Sequence, residues 1–136
     1  MKFFALVVSG LALVSAMPVQ AQSMELCDRG PRHSCVVDGD TIWLNGVNYR
    51  LEGYDTPEEY NNVCGGFREI DLARAASQRL VDLLNQSEWT IQSHGRADRY
   101  DRVLANIYIG GEDVGDILIR EGLARSWPDG PEFWCQ

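Results

Sequence analysis

Hydrophobic positions along this chain repeat with two different periods, and the changes of period mark its elements. From Val36 onward, β-branched and aromatic residues come in short runs, Val36-Val37, Thr41-Ile42-Trp43-Leu44 and Val47-Asn48-Tyr49-Arg50-Leu51, separated by Asp38-Gly39 and Asn45-Gly46. Runs of this kind bounded by turn dipeptides predict three strands. Thr56-Pro57 stops the third, because proline offers no N–H and pushes its predecessor to extended geometry. Glu59 to Gly66 then reads as a loop. Beyond it the spacing becomes three and four: Ile70, Ala73, Ser77, Leu80 and Leu84 form a stripe that Leu72, Ala76 and Leu83 widen. That spacing predicts a core-facing helix from Arg68 to about Gln86, with Glu69, Asp71, Arg74, Arg79 and Asp82 on its solvated face. Alternation returns from Glu88 to Ser93, Gly95 to Asp101 reads as a charged connection, and Val103 to Ile109 is a further strand ended by Gly110-Gly111. Val114 to Leu123 predicts a short helix with Gly122 near its end. Ser126 to Gln136, with Pro128, Gly130 and Pro131, reads as irregular. Five strands, with one helix after the third and another after the fifth, make an α+β order. It is compatible with a five-stranded, partly open barrel of the oligonucleotide-binding type carrying two or three helices.

The N-terminus follows other rules. One lysine, an apolar run from Phe3 to about Val14 and a small-residue boundary at Val19-Gln20-Ala21 predict a secretory signal peptide cleaved after Ala21. The run is shorter than the roughly 20 residues of a membrane-spanning helix. The expected organisation is a signal peptide over 1–21, an N-terminal arm over 22–35 and one domain over 36–136, in a secreted or periplasmic protein expected to act as a monomer. Cleavage would leave 136 − 21 = 115 residues, enough for a single core. Cys27, Cys35, Cys64 and Cys135 all lie beyond the cleavage point, where an oxidising compartment turns an even count into disulfides. Four cysteines allow three connectivities. The expected one joins Cys27 to Cys35 and Cys64 to Cys135, each bridge contributing about 2–4 kcal/mol. Zinc is disfavoured, since there is no C-x-x-C and His33 and His94 are isolated.

Charge restricts the function classes. Without Lys2, eleven arginines face twenty carboxylates, a net charge of −9 with no lysine. A polyanion-binding protein normally carries the opposite sign, so any nucleic-acid chemistry must rest on a metal and a few placed arginines.

Candidate chemistry concentrates between Val36 and Glu58. Asp38, Asp40 and Asp55 offer hard oxygen ligands, Arg50 a planar donor for phosphate, and Glu58 a further carboxylate. On local spacing alone, turn chemistry at Asp38-Gly39 and Asn45-Gly46 is the commoner reading. A second charged cluster, Asp98-Arg99-Tyr100-Asp101-Arg102, lies before the fifth strand. An EF-hand is excluded because Ile42 and Trp43 occupy positions needing a ligand and a glycine. No G-x-S-x-G supports a serine hydrolase.

Taken in order, DGDT at 38–41, R-x4-DTPE at 50–58, RY-x-R at 99–102 and GDILIREGLAR at 115–125 resemble the staphylococcal-nuclease-like (thermonuclease) family over roughly Val36 to Arg125. The resemblance implies a calcium-dependent endonuclease on an oligonucleotide-binding-type barrel, cleaving the phosphodiester backbone of single-stranded or flexible DNA and RNA. By the same resemblance Asp40 and Asp55 match the calcium ligands, with Thr56 supplying a backbone carbonyl. Arg50 and Arg102 match the phosphate-binding arginines and Glu58 the catalytic glutamate. Tyr100 sits where a tyrosine lies near a nucleotide phosphate, and Arg99 beside it is carried as a substrate contact. The alternative is a barrel that binds oligonucleotide or protein without efficient turnover.

Three features depart from the family pattern. The hairpin between Asp40 and Arg50 is short, and the usual base-stacking tyrosines are missing, leaving Trp127 and Trp134, read as packing residues with stacking by Trp127 the alternative. Asp101 replaces a usual glycine, which puts a carboxylate next to Arg102 that is able to pair with it and blunt it. Geometry adds an objection: strict alternation puts Arg50 and Asp55 on opposite faces, unless Gly53 bends the strand. Asp38 is assigned to its turn.

Overall fold

The computed structural model describes residues 23–136, so the expected signal peptide lies outside the described residues. The strands are β1 (Cys35–Asp38), β2 (Thr41–Leu44), β3 (Val47–Leu51), β4 (Tyr54–Asp55), β5 (Thr90–Ala97), β6 (Val103–Ile109), β7 (Glu112–Asp113) and β8 (Arg125–Ser126). The helices are α1 (Phe67–Gln86) and α2 (Val114–Arg120), and a 3₁₀ turn spans Phe133–Cys135. The five longer strands run in the order β1-β2-β3-β6-β5, an open α+β sheet of the oligonucleotide-binding kind.

Local chemistry explains the connections. Asn45 and Gly46 have φ of 50° and 80°, the doubly left-handed turn that an Asn-Gly pair supplies between β2 and β3. The pairing that brings distant residues together is parallel: β3 lies beside β6 with Tyr49 opposite Val103 and Arg50 opposite Leu104. The apolar stripe of α1 covers the sheet through Leu80, Leu83 and Leu84, which meet Val36, Ile42, Leu51, Ala105 and Ile107 in one buried core. Each leucine, isoleucine or valine among them contributes roughly 1.5–3 kcal/mol.

The arm joins this core. Met24 is fully buried, its backbone N–H and C=O both held by the Asn85 amide, and Leu26 bridges in parallel to Val36. Disulfides join Cys27 to Cys35 and Cys64 to Cys135, as expected. Among the described residues no helix is long and apolar enough to cross a membrane.

Several expectations are corrected. Among the described residues the five expected strands are joined by three more, β4, β7 and β8, two-residue strands held by tertiary pairing and too short to show a period. β4 pairs with β8 in a small second sheet, Tyr54 opposite Ser126 and Asp55 opposite Arg125, so the C-terminal region is less irregular than its prolines and glycines suggest. β5 runs on to Ala97 through a register shift rather than stopping at Ser93. α2 ends at Arg120, where Gly122, with φ of 75°, lets the Leu123 N–H reach back to the Leu118 carbonyl.

Candidate active site

Three pieces of backbone build the site. The β1–β2 turn is an Asx turn in which the Asp40 N–H donates to Asp38 Oδ1 at 3.1 Å. A Cβ on Gly39 would stand 2.6 Å from Thr56 Cγ2, so the absence of a side chain lets this turn press against the segment after β4. The buried Tyr54 hydroxyl fastens the same contact by donating to the Gly39 carbonyl at 2.7 Å. As a result Asp40, itself buried, accepts at Oδ2 from both the N–H and the hydroxyl of Thr56, at 3.2 and 3.3 Å. Gly53, with φ of 86°, separates β3 from β4 and resolves the alternation problem, since the break resets side-chain direction before Asp55.

Arg50 reaches back into this corner. Its Nη1 lies 3.3 Å from Asp40 Oδ2, and its guanidinium donates to the carbonyls of Leu51 and Tyr54 at 2.6 and 3.0 Å. Its Nε–H has no partner among the described residues. Arg102 arrives from the start of β6, donating from Nε to Asp98 Oδ2 at 2.8 Å and from Nη1 to Thr41 Oγ1 at 3.3 Å. Thr41 in turn donates to Asp40 Oδ1 at 3.1 Å. A run of polar contacts thus links Arg102, Thr41, Asp40 and Arg50. Asp101 does not pair with Arg102: it occupies the left-handed region at φ 60°, and Asp98 takes the arginine. Tyr100 is exposed, with the guanidinium carbons of Arg99 and Arg102 at 4.8 and 5.2 Å from its ring centre.

All eight expected site residues, Asp40, Arg50, Asp55, Thr56, Glu58, Arg99, Tyr100 and Arg102, line one cleft of about 800 Å³. Its electrostatics are unusual. Burial, then the neighbouring Asp38, pushes the Asp40 carboxyl up to about 7 despite Arg50. Desolvation, then Asp40, Asp55 and Glu69, pushes Glu58 up to about 7 as well, and desolvation also raises Asp55.

Three further residues matter here that the sequence does not single out: Arg125 and Glu69, which line the cleft, and the buried Thr41, which touches Arg102 and Asp40. Thr41 is the bridge just described. Arg125 donates to Asp55 Oδ2 at 2.9 Å and to the Gly130 carbonyl at 2.8 Å, and meets Glu132 at 3.1 Å with Trp127 and Trp134 beside it. Glu69, expected on the solvated face of α1, is buried and accepts from the N–H groups of Glu58, Cys64 and Gly65 at 3.2, 2.5 and 2.9 Å. It is the third residue of its helix, where a glutamate turns back onto preceding N–H groups, and that position was the available signal. The two tryptophans divide: Trp134 is buried, while Trp127 is 54% exposed and lines the cleft.

The donors suit a hard divalent cation. Asp40, Asp55 and the Thr56 carbonyl offer only oxygen, and a cation would favour the ionised form of the two carboxyls that burial raises. The only group of three carboxylate, cysteine or histidine ligand atoms lying mutually close among the described residues is Cys64, Glu132 and Cys135, whose sulfurs are already joined in a disulfide.

The family model described as "Staphylococcal nuclease homologue" matches residues 48–131. The SPbeta prophage-derived endonuclease YokF of Bacillus subtilis (strain 168) is 38% identical over 98 residues, covering 65% of this chain and 31% of that protein. Endonuclease YncB of the same organism is 37% identical over 98 residues, covering 65% and 44%. The thermonuclease of Staphylococcus hyicus is 34% identical over 96 residues, covering 67% and 55%. The chain thus spans from about a third to about half of the length of these relatives. With most of its length matched, and with the DGDT, DTPE and RY-x-R segments folded into one cleft, the chain belongs to the staphylococcal nuclease homologue family.

Proposed function

We propose that this protein is a secreted or periplasmic calcium-dependent nuclease that hydrolyses phosphodiester bonds of DNA and RNA. The observation that carries the reading is the run Arg102, Thr41, Asp40, Arg50 in a cleft that also holds Glu58. Two guanidinium groups on one carboxylate-bearing wall suit a phosphate and have no use in a turn.

Phosphodiester hydrolysis demands charge neutralisation, an in-line nucleophile and stabilisation of the leaving oxygen. Asp40, Asp55 and the Thr56 carbonyl would hold Ca²⁺, which when bound supplies phosphate neutralisation and polarisation of water. Glu58, with its carboxyl near 7, is matched near neutrality to take the proton of an attacking water. Arg50 and Arg102 would clamp phosphate oxygens with the N–H groups that their anchoring contacts leave over. Anchoring by Leu51, Tyr54, Asp98 and Thr41 fixes those guanidinium groups in advance, so less ordering remains for substrate binding. Arg99, Tyr100 and Trp127 offer cation and ring surfaces for the flanking nucleotides.

The test is hydrolysis of single-stranded DNA with calcium, with chelator, and by Glu58→Gln and Arg102→Ala. Loss of about 10³–10⁵-fold in Arg102→Ala is expected. Full activity in chelator, or unchanged activity in both variants, overturns the assignment. A binding module without turnover is favoured by one observation, the engagement of Arg102 by Asp98. Calcium and oligonucleotide binding with no hydrolysis would select it. Export is tested by an N-terminus at Gln22 on protein recovered outside the cytoplasm.

A further inference from the structure

A second groove, of about 700 Å³, opens beside the catalytic cleft and shares Asp38 and Glu58 with it. Its floor is the Ala73–Ser77 face of α1, and the loop after Pro57 forms one wall with Tyr60 and Asn61. The other wall is the disulfide-closed arm, with Leu26, Cys27 and Arg32. That arm lies outside residues 48–131, the part that matches the family model.

The chemistry of the groove is specific. Arg32 is exposed and has no hydrogen-bond or ion-pair partner among the described residues. Tyr60 is 73% exposed, an aromatic ring presented to solvent at the groove edge. Glu59, which would repel a polyanion, is paired with Arg74 at 2.8 Å. The remaining carboxylates, Asp38 and Glu58, stand at the junction with the catalytic cleft rather than along the groove. A strand with one phosphate at Arg50 and Glu58 must leave the cleft in two directions. One passes Arg99, Tyr100 and Trp127, and the other opens into this groove.

We propose that the groove binds the nucleotides of a single-stranded substrate on the Glu58 side of the reacting phosphate, Arg32 meeting a backbone phosphate and Tyr60 stacking on a base. The proposal rests on the nuclease reading and extends it to substrate length. It accounts for an arm tied down by a disulfide at a place with no role in the chemistry. A strand without a duplex partner is required, because stacking on Tyr60 needs an unpaired base.

The experiment compares the protein, disulfides formed, with an Arg32→Ser/Tyr60→Ala variant on two substrates: a single-stranded oligonucleotide of about twelve nucleotides, and bis(p-nitrophenyl) phosphate, too small to reach the groove. The expected result is a kcat/KM about tenfold lower on the oligonucleotide, carried by KM, with the small diester unchanged. An equal fall on both substrates, or no fall on either, overturns the proposal. If the unmodified protein hydrolyses neither substrate, the nuclease reading alone has failed, and fluorescence anisotropy with the labelled oligonucleotide decides. Binding about tenfold weaker in the variant then supports the groove, and equal binding or none by either protein overturns it.

Discussion

Arg125 Nε donates to Asp55 Oδ2 at 2.9 Å across 70 residues of chain, and this contact joins the C-terminal segment to a proposed metal ligand. The guanidinium is nearly buried and also holds Gly130 and Glu132, so it is fixed before it fixes Asp55. Arg125→Gln is expected to weaken calcium binding about 10–100-fold, as removal of groups that orient a metal ligand typically does. Arg125→Lys is expected to recover only part, because an ammonium lacks the planar fork. Calcium titration calorimetry beside a thermal melt separates this from simple unfolding, and unchanged affinity in a folded variant would show that Asp55 needs no support.

Thr41 makes a narrower prediction. Its hydroxyl accepts from Arg102 and donates to Asp40, and valine keeps the shape while removing both contacts. Thr41→Val is expected to lower kcat on single-stranded DNA by about tenfold, the worth of one or two hydrogen bonds to charged groups, with KM little altered. A rise in KM at constant kcat would mean that the bridge serves ground-state binding instead.

The raised carboxyls fix the sign of a pH effect. Asp40 and Glu58 are each held near 7, chiefly by burial, so between about pH 4 and 7 the folded protein keeps protons that the unfolded chain has released. Stability is then greatest at the acid end of that window, falls as pH rises through it, and levels off above. Without divalent cations the melting temperature is expected to be higher at about pH 5 than at about pH 8. Asp40→Asn is expected to flatten the slope, and an Asp40→Asn profile as steep as the original would remove Asp40 as the cause.

Asp101 stands at φ 60°, where a side chain costs about 1 kcal/mol relative to glycine. Because it does not pair with Arg102, Asp101→Gly is expected to stabilise the protein by roughly 0.5–1 kcal/mol in urea unfolding while leaving hydrolysis intact. Lost activity would give the carboxylate a role that its contacts do not show.

The elements legible in the sequence were those with enough length to repeat. The long strands and α1 show their periods plainly, and the Asp40–Arg50 hairpin is local, so its members are near one another for any reader of the chain. Arg102 was found through its motif rather than its spacing. Arg125 was not found, because a cation after a helix and a glycine reads as a helix-end charge, and only the two-residue pairing of β4 with β8 turns it towards Asp55. Glu69 was misplaced because the same helical period serves a solvated residue and a buried one turned back on its own N-terminus. Arg125 and Glu69 are alike in being polar groups whose partners are supplied by tertiary structure.

The parallel seam between β3 and β6 has a kinetic meaning. It sets Arg50 opposite Leu104, while Thr41 meets Arg102 across 61 residues and Asp55 meets Arg125 across 70. Closing loops of this length costs more entropy than closing the β2–β3 hairpin, so these contacts are expected to form after it. The cleft is consequently divided along the sequence: Asp40 and Arg50 are ten residues apart, while Arg102 and Arg125 reach it from 61 and 70 residues beyond Thr41 and Asp55. On the nuclease reading proposed above, a chain divided this way would gain activity only on completing its fold.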